Sequence, residues 1–339
     1  MNVLSLFDGI SCGRVALERV GIPVGKYYAS EIDKDAIAVS EHNYPDIVHI
    51  GDVREIKASD LPKIDLIIGG SPCQDLSRAN YEGKGLEGKK SSLFWEFVRL
   101  WKETKATYFL LENVGSMSED DMLIISEALD VRPIRIDSAL VSAQGRDRYY
   151  WTNIPGTGTD LFGGSPIEQP EDKGIKLQDI LEDGFAISEK ARCLLVSDSR
   201  PLRTPEKMLH RYFNTGFTTL IFKDKELALQ VREATKKGFV EINEGQGVDL
   251  SFPTSKTRRG RAMRDKVHTI TRTKNEYFIF QNGDLRYLTQ TELERAQTLP
   301  EGYTKILSRD KAAACIGNGW TVDVIAHLFK GLNPLDENV

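Results

Sequence analysis

Short apolar runs alternate with segments of helical periodicity over the first 150 residues. Six of the runs predict β-strands, namely "NVLSLF", "KYYASEI", "IVHI", "IDLIIGG", "YFLLENV" and "VRPIRIDSALV". Between them, apolar residues recur at helical spacing near 13–20, 34–43, 91–104 and 118–129. Strands that alternate with helices predict parallel βαβ units in a doubly wound α/β sheet, whose ligands bind at the carboxyl ends of the strands.

The pattern changes near Asn153, where "IPGTGTDLFGGSPIEQPEDKG" is rich in glycine and proline, as domain boundaries often are. The alternation is lost to about residue 267 and returns with "KVHTITR", "EYFIF", "LRYLT" and "TQTELERAQTL". A last helix in "TVDVIAHLFKGL" has a continuous apolar face, which predicts packing against the first domain. We therefore expect a large domain formed by 1–153 and 268–339, with a smaller domain at 154–267.

Composition narrows the function classes. The 339 residues carry 45 Lys+Arg and 50 Asp+Glu, a net charge of −5, so any DNA-binding surface must be local. The four cysteines form no CxxC pair, which indicates neither a zinc site nor a disulfide framework. Because "MNVLSLFDGIS" lacks a basic leader and no apolar run approaches the roughly 20 residues of a membrane helix, we expect a soluble, cytoplasmic protein without bound metal.

Acidic residues and glycines follow the first three predicted strands. The turn "LFDGISCG" follows the first strand, and its glycines permit a tight turn beside a ligand. Glu31 ends the second strand and Asp52 the third. These carboxylates could accept hydrogen bonds from a ribose hydroxyl and from an adenine amino group, respectively. The alternative is that both cap or begin helices.

A cysteine lies in the turn after the fourth predicted strand, in "GGSPCQDLS". Most free cysteines are small buried residues, but the turn places Cys73 at the same edge of the sheet as the strand-end acids. A nucleophilic cysteine reacts as the thiolate. No histidine partner is evident among the five scattered histidines, which disfavours a cysteine protease.

Charged residues also follow the fifth predicted strand. A buried carboxyl group at Glu112, in "YFLLENV", could stay partly protonated and donate a proton to a bound ring. The alternative, capping of the next helix, suits Ser118 better. In "SAQGRDRYYW", Gln144, Arg146 and Arg148 alternate, so a strand would direct all three to one face. Two such arginines suit a solvated edge or, in a cleft, an anionic or carbonyl-bearing substrate.

In order along the chain, these and two later segments resemble the motifs of the DNA cytosine-5-methyltransferase family. The segments are "FDGISCG", "EID", "GDV", "GSPCQDLS", "ENV", "AQGRDR", "RYLTQTELERAQTLPEGY" and "GNGWTVDVI". The resemblance covers about 3–153 and 267–333. Ser11, "GSPC" and "GNGW" depart from the common bacterial motifs and, with "KGLEGKKSSLFWEF", are closer to the catalytic domain of the mammalian de novo DNA methyltransferases. Without their histone-reading or zinc modules, a free-standing prokaryotic or phage enzyme is expected.

The resemblance implies a Rossmann-like, S-adenosylmethionine-dependent methyltransferase fold with an inserted target-recognition domain. Cys73 would attack a flipped-out cytosine, Glu112 would bind its ring nitrogen and amino group, and Arg148, with Arg146, would hold its carbonyl group and a nearby phosphate. S-adenosylmethionine would contact Phe7, Asp8, Gly9, Gly13, Glu31, Ile32, Asp52, Val53, Asn318, Gly319 and Trp320.

The segment "SKTRRGRAMRDK" (255–266) supplies the local basic surface that duplex DNA requires, with Asp265 its only acid. Its alternative is a solvated basic loop. The DNA contacts predicted in all are Gln144, Lys256, Arg258, Arg259, Arg261 and Arg264. The loop 77–92 is a candidate for closing over bound DNA. A cognate restriction endonuclease, the target sequence and the oligomeric state are left open, as are two rival functions: transfer RNA methylation and an inactive regulator of the same fold.

Overall fold

A computed structural model describes most of the first half of the chain and a smaller part of the second. The described residues are 1–71, 93–156, 158, 166–186, 188–202, 207–208, 211, 218–222, 229–232, 234–236, 239–242, 247–249, 262–263, 277–279 and 285–332. Several predicted site residues lie outside them: Cys73, Lys256, Arg258, Arg259, Arg261 and Arg264. The candidate closing loop 77–92 and the predicted strand "KVHTITR" lie outside them as well.

Seven strands form the main sheet in the order β3-β2-β1-β4-β5-β7-β6. They are β1 (Asn2–Leu6), β2 (Lys26–Ser30), β3 (Val48–His49), β4 (Leu66–Gly70), β5 (Tyr108–Val114), β6 (Ile134–Asp137) and β7 (Asp147–Thr152). The first five strands pair in parallel, whereas β7 is antiparallel to both of its neighbours. The strand order runs outward from β1 to β3 on one side and then continues from β4 on the other side of β1. The carboxyl ends of β1 and β4 therefore flank the point at which a doubly wound sheet binds ligands.

Helices cover both faces of this sheet. They are α1 (Cys12–Arg19), α2 (Lys34–Asn43), α3 (Leu93–Thr104), α4 (Glu119–Leu129), α5 (Gln290–Ala296), α6 (Arg309–Asn318) and α7 (Val322–Phe329). Ser118 caps α4 by accepting from the backbone N–H of Asp121, as the sequence predicted. Helix α6 was not predicted, because the small residues of "AAACIGN" give little contrast between an apolar and a polar face.

The core has one layer on each face of the sheet. The first layer includes Leu17 of α1, Val39 of α2 and Phe329 of α7, and the second includes Phe97 of α3 and Ile125 of α4. Helix α7 packs against α1, which confirms the predicted return of the last helix to the first domain. This return carries the residues just before α7 to the carboxyl edge of the sheet.

Between the glycine-rich segment and α5, the residues that the structure describes include short strands in three small sheets. The strands are β8 (Phe185–Ala186), β9 (Ile221–Phe222), β10 (Leu229–Arg232), β11 (Phe239–Ile242), β12 (Gly247–Asp249), β13 (Ala262–Met263), β14 (Tyr277–Ile279) and β15 (Leu285–Arg286). β14 pairs with β12, and β15 pairs with β9. These pairings join strands on opposite sides of the boundary predicted at 267. The sequence did not predict them, because a short apolar run such as "EYFIF" does not reveal which sheet it enters.

Candidate active site

The turn between β1 and α1 adopts an unusual backbone conformation. Phe7, Gly9 and Ser11 have φ angles of 56°, 60° and 59°, in the left-handed region that residues other than glycine rarely adopt. The Asp8 carboxylate accepts from the Tyr27 hydroxyl at 2.8 Å and from the Ser11 hydroxyl at 2.5 Å. Desolvation raises the pKa of Asp8 above its ordinary value. Asp8 therefore supports the turn from within.

Glu31 links this turn to the end of β2. Its carboxylate accepts from the backbone N–H of Gly9 at 2.8 Å, of Ile32 at 2.7 Å and of Asp33 at 2.9 Å. Helix α2 is capped by Asp33, so helix capping does not explain Glu31. Ile32 beside it is 71% exposed, which leaves an apolar side chain open next to a carboxylate.

Asp52 is the N-cap of a short 3₁₀ helix, Val53–Glu55. It accepts from the backbone N–H and from Nε of Arg54, both at 3.0 Å, and these bonds lower the pKa of Asp52 to about 2. Asp52 therefore caps a helix, as the alternative considered from the sequence expected. Val53 is buried beneath it.

Glu112 lies near the carboxyl end of β5, and its carboxylate is held by two side chains that come from elsewhere in the chain. Arg148 Nε lies 2.7 Å from Oε1, and the Trp320 indole Nε1 donates to Oε2 at 3.2 Å. The register of β5 and β7 pairs Glu112 with Tyr150 and Val114 with Arg148, so Arg148 is a diagonal neighbour of Glu112 on one face. Glu112 is only 8% exposed, and the positively charged guanidinium of Arg148 lies next to its carboxylate.

The two arginines predicted to act together have different surroundings. Strand β7 begins at Asp147, so Arg146 precedes it and only Arg148 lies on the strand. Arg146 is buried and donates to the carbonyl oxygens of Leu194 at 3.2 Å, Gly317 at 3.3 Å and Gly319 at 3.0 Å. Arg146 therefore lies just before the strand rather than on it, although both guanidinium groups reach Cys193 Sγ, Arg146 at 3.4 Å and Arg148 at 3.8 Å.

Gln144 does not fit the DNA contact predicted for it, because its side chain is fully buried. The side-chain amide donates to the carbonyl oxygen of Ala296 at 3.1 Å and to Gln297 Oε1 at 3.0 Å, and it accepts from the backbone N–H of Leu194 at 2.7 Å. The Gln144 side chain therefore connects its own segment to Ala296–Gln297 and to Leu194 by hydrogen bonds in the interior.

The segment Asn318–Trp320 reaches the sheet between α6 and α7. Asn318 is exposed, whereas Gly319 is buried. The Gly319 carbonyl accepts from Arg146 and also from Gln297 Nε2 at 3.1 Å. A methyl group at Gly13 would lie 2.4 Å from Ile68 Cδ1 and 3.5 Å from Trp320 Cζ3, so glycine allows α1 to approach this segment closely.

The matching family model, C-5 cytosine-specific DNA methylase, covers residues 1–130 and 143–333. The chain belongs to this family. An orphan methyltransferase of Bacillus phage rho11s, M.Rho11sI, is 36% identical in an alignment 174 residues long that covers 48% of this chain and 34% of that protein. The type II methyltransferase M1.ScrFI of Lactococcus lactis subsp. cremoris is 30% identical in an alignment 203 residues long that covers 56% of this chain and 51% of that protein. The match therefore spans a third to a half of these relatives.

A solved structure has a similar fold. The S. pombe Dnmt2 methyltransferase aligns with a TM-score of 0.59 and 16% identity, covering 99% of each chain. At this identity the likeness concerns the fold. It confirms the predicted Rossmann-like methyltransferase architecture, to which the family membership independently points.

Three residues near the family motifs were missed by sequence reasoning. Asn113 donates to the Ser71 hydroxyl at 3.1 Å and so ties the end of β4, just before Pro72 and Cys73, to the end of β5. Gln297 lies in "RAQTLPEGY", a motif whose resemblance was noted without a role for the glutamine. Cys193 accepts from Arg146 at 3.4 Å, and nothing in its local sequence signals this contact.

The described cysteines differ in availability. Burial raises the pKa of both Cys12 and Cys315 to about 12, so neither is a nucleophile near neutral pH. Cys193 is half-buried. Within the part of the chain that the structure describes, no cluster of His, Cys, Asp and Glu could hold a metal ion, and no helix is long and apolar enough to cross a membrane.

Proposed function

We propose that this chain is a DNA cytosine-5-methyltransferase that transfers a methyl group from S-adenosylmethionine to carbon 5 of a cytosine in duplex DNA. The observation that carries the proposal is Glu112, buried at the carboxyl edge of the sheet and held by Arg148 and Trp320. The segment that leads to Cys73 begins beside it, because Ser71 is bonded to Asn113. Family membership and relatives named as type II and orphan methyltransferases support this restriction-modification type of activity.

The chemistry starts from a ring carbon that is too weak a nucleophile. Cys73, as the thiolate, would form a bond to carbon 6 of the cytosine, and the electron pair of the ring double bond would become available at carbon 5. A proton shared between Glu112 and ring nitrogen 3 would prevent negative charge from accumulating on the ring. After carbon 5 has bonded to the methyl group, loss of its proton and cleavage of the bond to Cys73 restore the ring and the thiolate. Water is a candidate acceptor of that proton.

The two arginines would divide their work. Arg148 lies beside the Glu112 carboxylate, where it could also donate to the cytosine carbonyl group. Arg146 has three backbone carbonyl groups bound to its guanidinium. We therefore assign Arg146 to holding the segment before Trp320 rather than to the base itself.

The turn Phe7–Ser11, Glu31 and Asp52 fit an adenosine-type ligand, and we name them the cofactor half of the cleft. A Cβ at Gly9 would meet nothing within 4 Å, and Ile32 is open to solvent beside Glu31. S-adenosylmethionine would supply the methyl group here. Glu31 would accept from the ribose hydroxyls, Asp52 with Val53 would border the adenine, and Asn318 would close the site from the C-terminal side. The base half consists of Gly70, Glu112, Arg148, Trp320 and the turn that carries Cys73.

Recognition of DNA is assigned to the middle of the chain. We propose 154–267 as the target-recognition domain, together with β14 and β15, because these two strands pair with strands of that segment. Lys256, Arg258, Arg259, Arg261 and Arg264 would contact phosphates and guanine edges. The target cytosine must leave the base stack to reach Glu112.

Methyl transfer from labelled S-adenosylmethionine to duplex DNA tests the activity. We expect duplex DNA to be labelled and transfer RNA not to be. Labelling of transfer RNA alone would support the rival substrate, and no labelling of any DNA would support an inactive regulator. Sequencing of the methylated cytosines would then give the target sequence.

A covalent trap tests the nucleophile. DNA that contains 5-fluorocytosine should form a stable adduct with the wild type, because fluorine cannot leave carbon 5 as a proton does. Cys73→Ser should form no adduct and should lose at least about 10³-fold in kcat. Cys315→Ala, which removes a buried thiol of α6, is the control and should still form the adduct. Full activity of Cys73→Ser would contradict the mechanism.

A further inference from the structure

The indole of Trp320 donates to Glu112 and lies close to the start of α1, and we propose that it positions Glu112 for the target base. This inference rests on the proposed function and adds a role for Trp320 beyond contact with the cofactor. Trp320 is here a positioning residue, because it would act on the base through Glu112.

Each oxygen of the Glu112 carboxylate is held by a different donor. Arg148 Nε lies 2.7 Å from Oε1, and Trp320 Nε1 donates to Oε2 at 3.2 Å. An indole N–H donates only, since the indole has no acceptor atom. Trp320 can therefore fix the orientation of the carboxyl group without taking the proton that Glu112 would share with the cytosine ring.

The space for this contact comes from a glycine at the end of β4. A methyl group at Gly70 would lie 2.9 Å from Nε1 of Trp320 and 3.1 Å from Oε2 of Glu112, so it would intrude on the hydrogen-bonded pair. At its other end the indole lies close to the first turn of α1, since a methyl group at Gly13 would lie 3.5 Å from Cζ3. One ring is therefore close both to Glu112 and to the helix that follows the turn Phe7–Ser11.

Hydrogen bonds also hold the residues on both sides of Trp320. The Gly319 carbonyl accepts from Arg146 at 3.0 Å and from Gln297 at 3.1 Å. The Thr321 hydroxyl, on the other side of Trp320, donates to Gln297 Oε1 at 2.7 Å. Gln297 thus fixes the residues before and after Trp320, which limits the positions that the indole can take.

Trp320→Phe tests the inference, because it keeps an aromatic ring and removes the N–H. With the full-length enzyme, duplex DNA and labelled S-adenosylmethionine, we expect kcat to fall about tenfold, the usual effect of one hydrogen bond to a charged group. The KM for S-adenosylmethionine should change less than about threefold, since the ring remains. Trp95→Phe is the matched control, because Trp95 is an exposed residue of α3, and its kcat should equal that of the wild type.

A second variant separates positioning from general damage to the fold. Gly70→Ala should lower kcat in the wild type, because its methyl group displaces the indole N–H from Glu112. It should lower kcat much less in Trp320→Phe, in which that hydrogen bond is already absent. The inference would be overturned if Gly70→Ala lowered kcat equally in the wild type and in Trp320→Phe, or if Trp320→Phe left kcat unchanged. In either case an active wild-type enzyme would still support the proposed function. A wild type that methylates no DNA would overturn both.

Discussion

In the cofactor half of the cleft, Glu31 is held by three backbone N–H groups that lie close to it in space. In the base half, Glu112 is held by the side chains of Arg148 and Trp320. Backbone donors are independent of residue type, so neighbouring residues of the cofactor half can vary while Glu31 keeps its partners. Side-chain donors are lost with a single substitution. The base half should therefore be far more sensitive to mutation than the cofactor half.

Two separate variants, Arg146→Met and Arg148→Met, should differ most, the first in the free energy of unfolding and the second in kcat. Arg146→Met removes a charged donor from three carbonyl groups, of which Gly319 keeps Gln297 Nε2 as a second donor, and should lower the free energy of unfolding by about 3 kcal/mol. Arg148→Met should lower it less and should reduce kcat strongly. Urea unfolding followed by circular dichroism measures the first effect, and methyl transfer measures the second. Equal loss of stability in both variants would break the distinction.

Glu112→Gln tests the base half directly. The amide keeps the shape of the side chain but cannot share a proton with ring nitrogen 3 in the same way, so kcat should fall about 100-fold. The dissociation constant for S-adenosylmethionine, measured by calorimetry, should change little. A large loss of cofactor affinity instead would mean that the two halves are not separate.

Glu31→Ala tests the cofactor half. Loss of the carboxylate removes the predicted ribose acceptor and releases the N–H of Gly9 in the turn, so the dissociation constant for S-adenosylmethionine should rise about tenfold. At saturating S-adenosylmethionine, kcat should return to near the wild-type value. A persistent loss of kcat would place Glu31 in the chemistry as well.

Asp52→Asn should have the smallest effect. Arg54 holds the pKa of Asp52 at about 2, so the carboxylate is ionised throughout the physiological pH range. The stability that this pair contributes is present above the ordinary pKa of an aspartate and is lost only as the pH falls towards 2. Asparagine can still cap the 3₁₀ helix, so cofactor affinity should change less than about threefold in the same calorimetric titration. A tenfold change would show that the charge contacts the adenine amino group.

The same contrast explains what the sequence could predict. The turn after β1, Glu31 and Asp52 each follow a strand that local periodicity reveals, and their partners lie nearby in the sheet or the chain. Ser118 as the cap of α4 is of the same kind. The ordered motifs then identified the family, which pattern and charge alone left open.

The parts that could not be predicted depend on contacts between distant residues. Arg146 and Arg148 look equivalent in "GRDRYYW", and only their distant partners distinguish them, namely backbone carbonyl groups for Arg146 and the Glu112 carboxylate for Arg148. Gln144 looks available to DNA until α5 and the segment at Leu194 are packed around it. No local pattern states that the residue after Gly319 will donate to a carboxylate on β5.

The contact between Trp320 and Glu112 joins residues 208 positions apart in the chain. Ribosomes add about 5 to 20 residues per second, so Glu112 would be synthesised roughly 10 to 40 s before Trp320. Contacts of such long sequence separation also form late in folding. A nascent chain can therefore fold much of its sheet while its base half is incomplete, and the proposed methyl transfer would require Trp320 to have been synthesised.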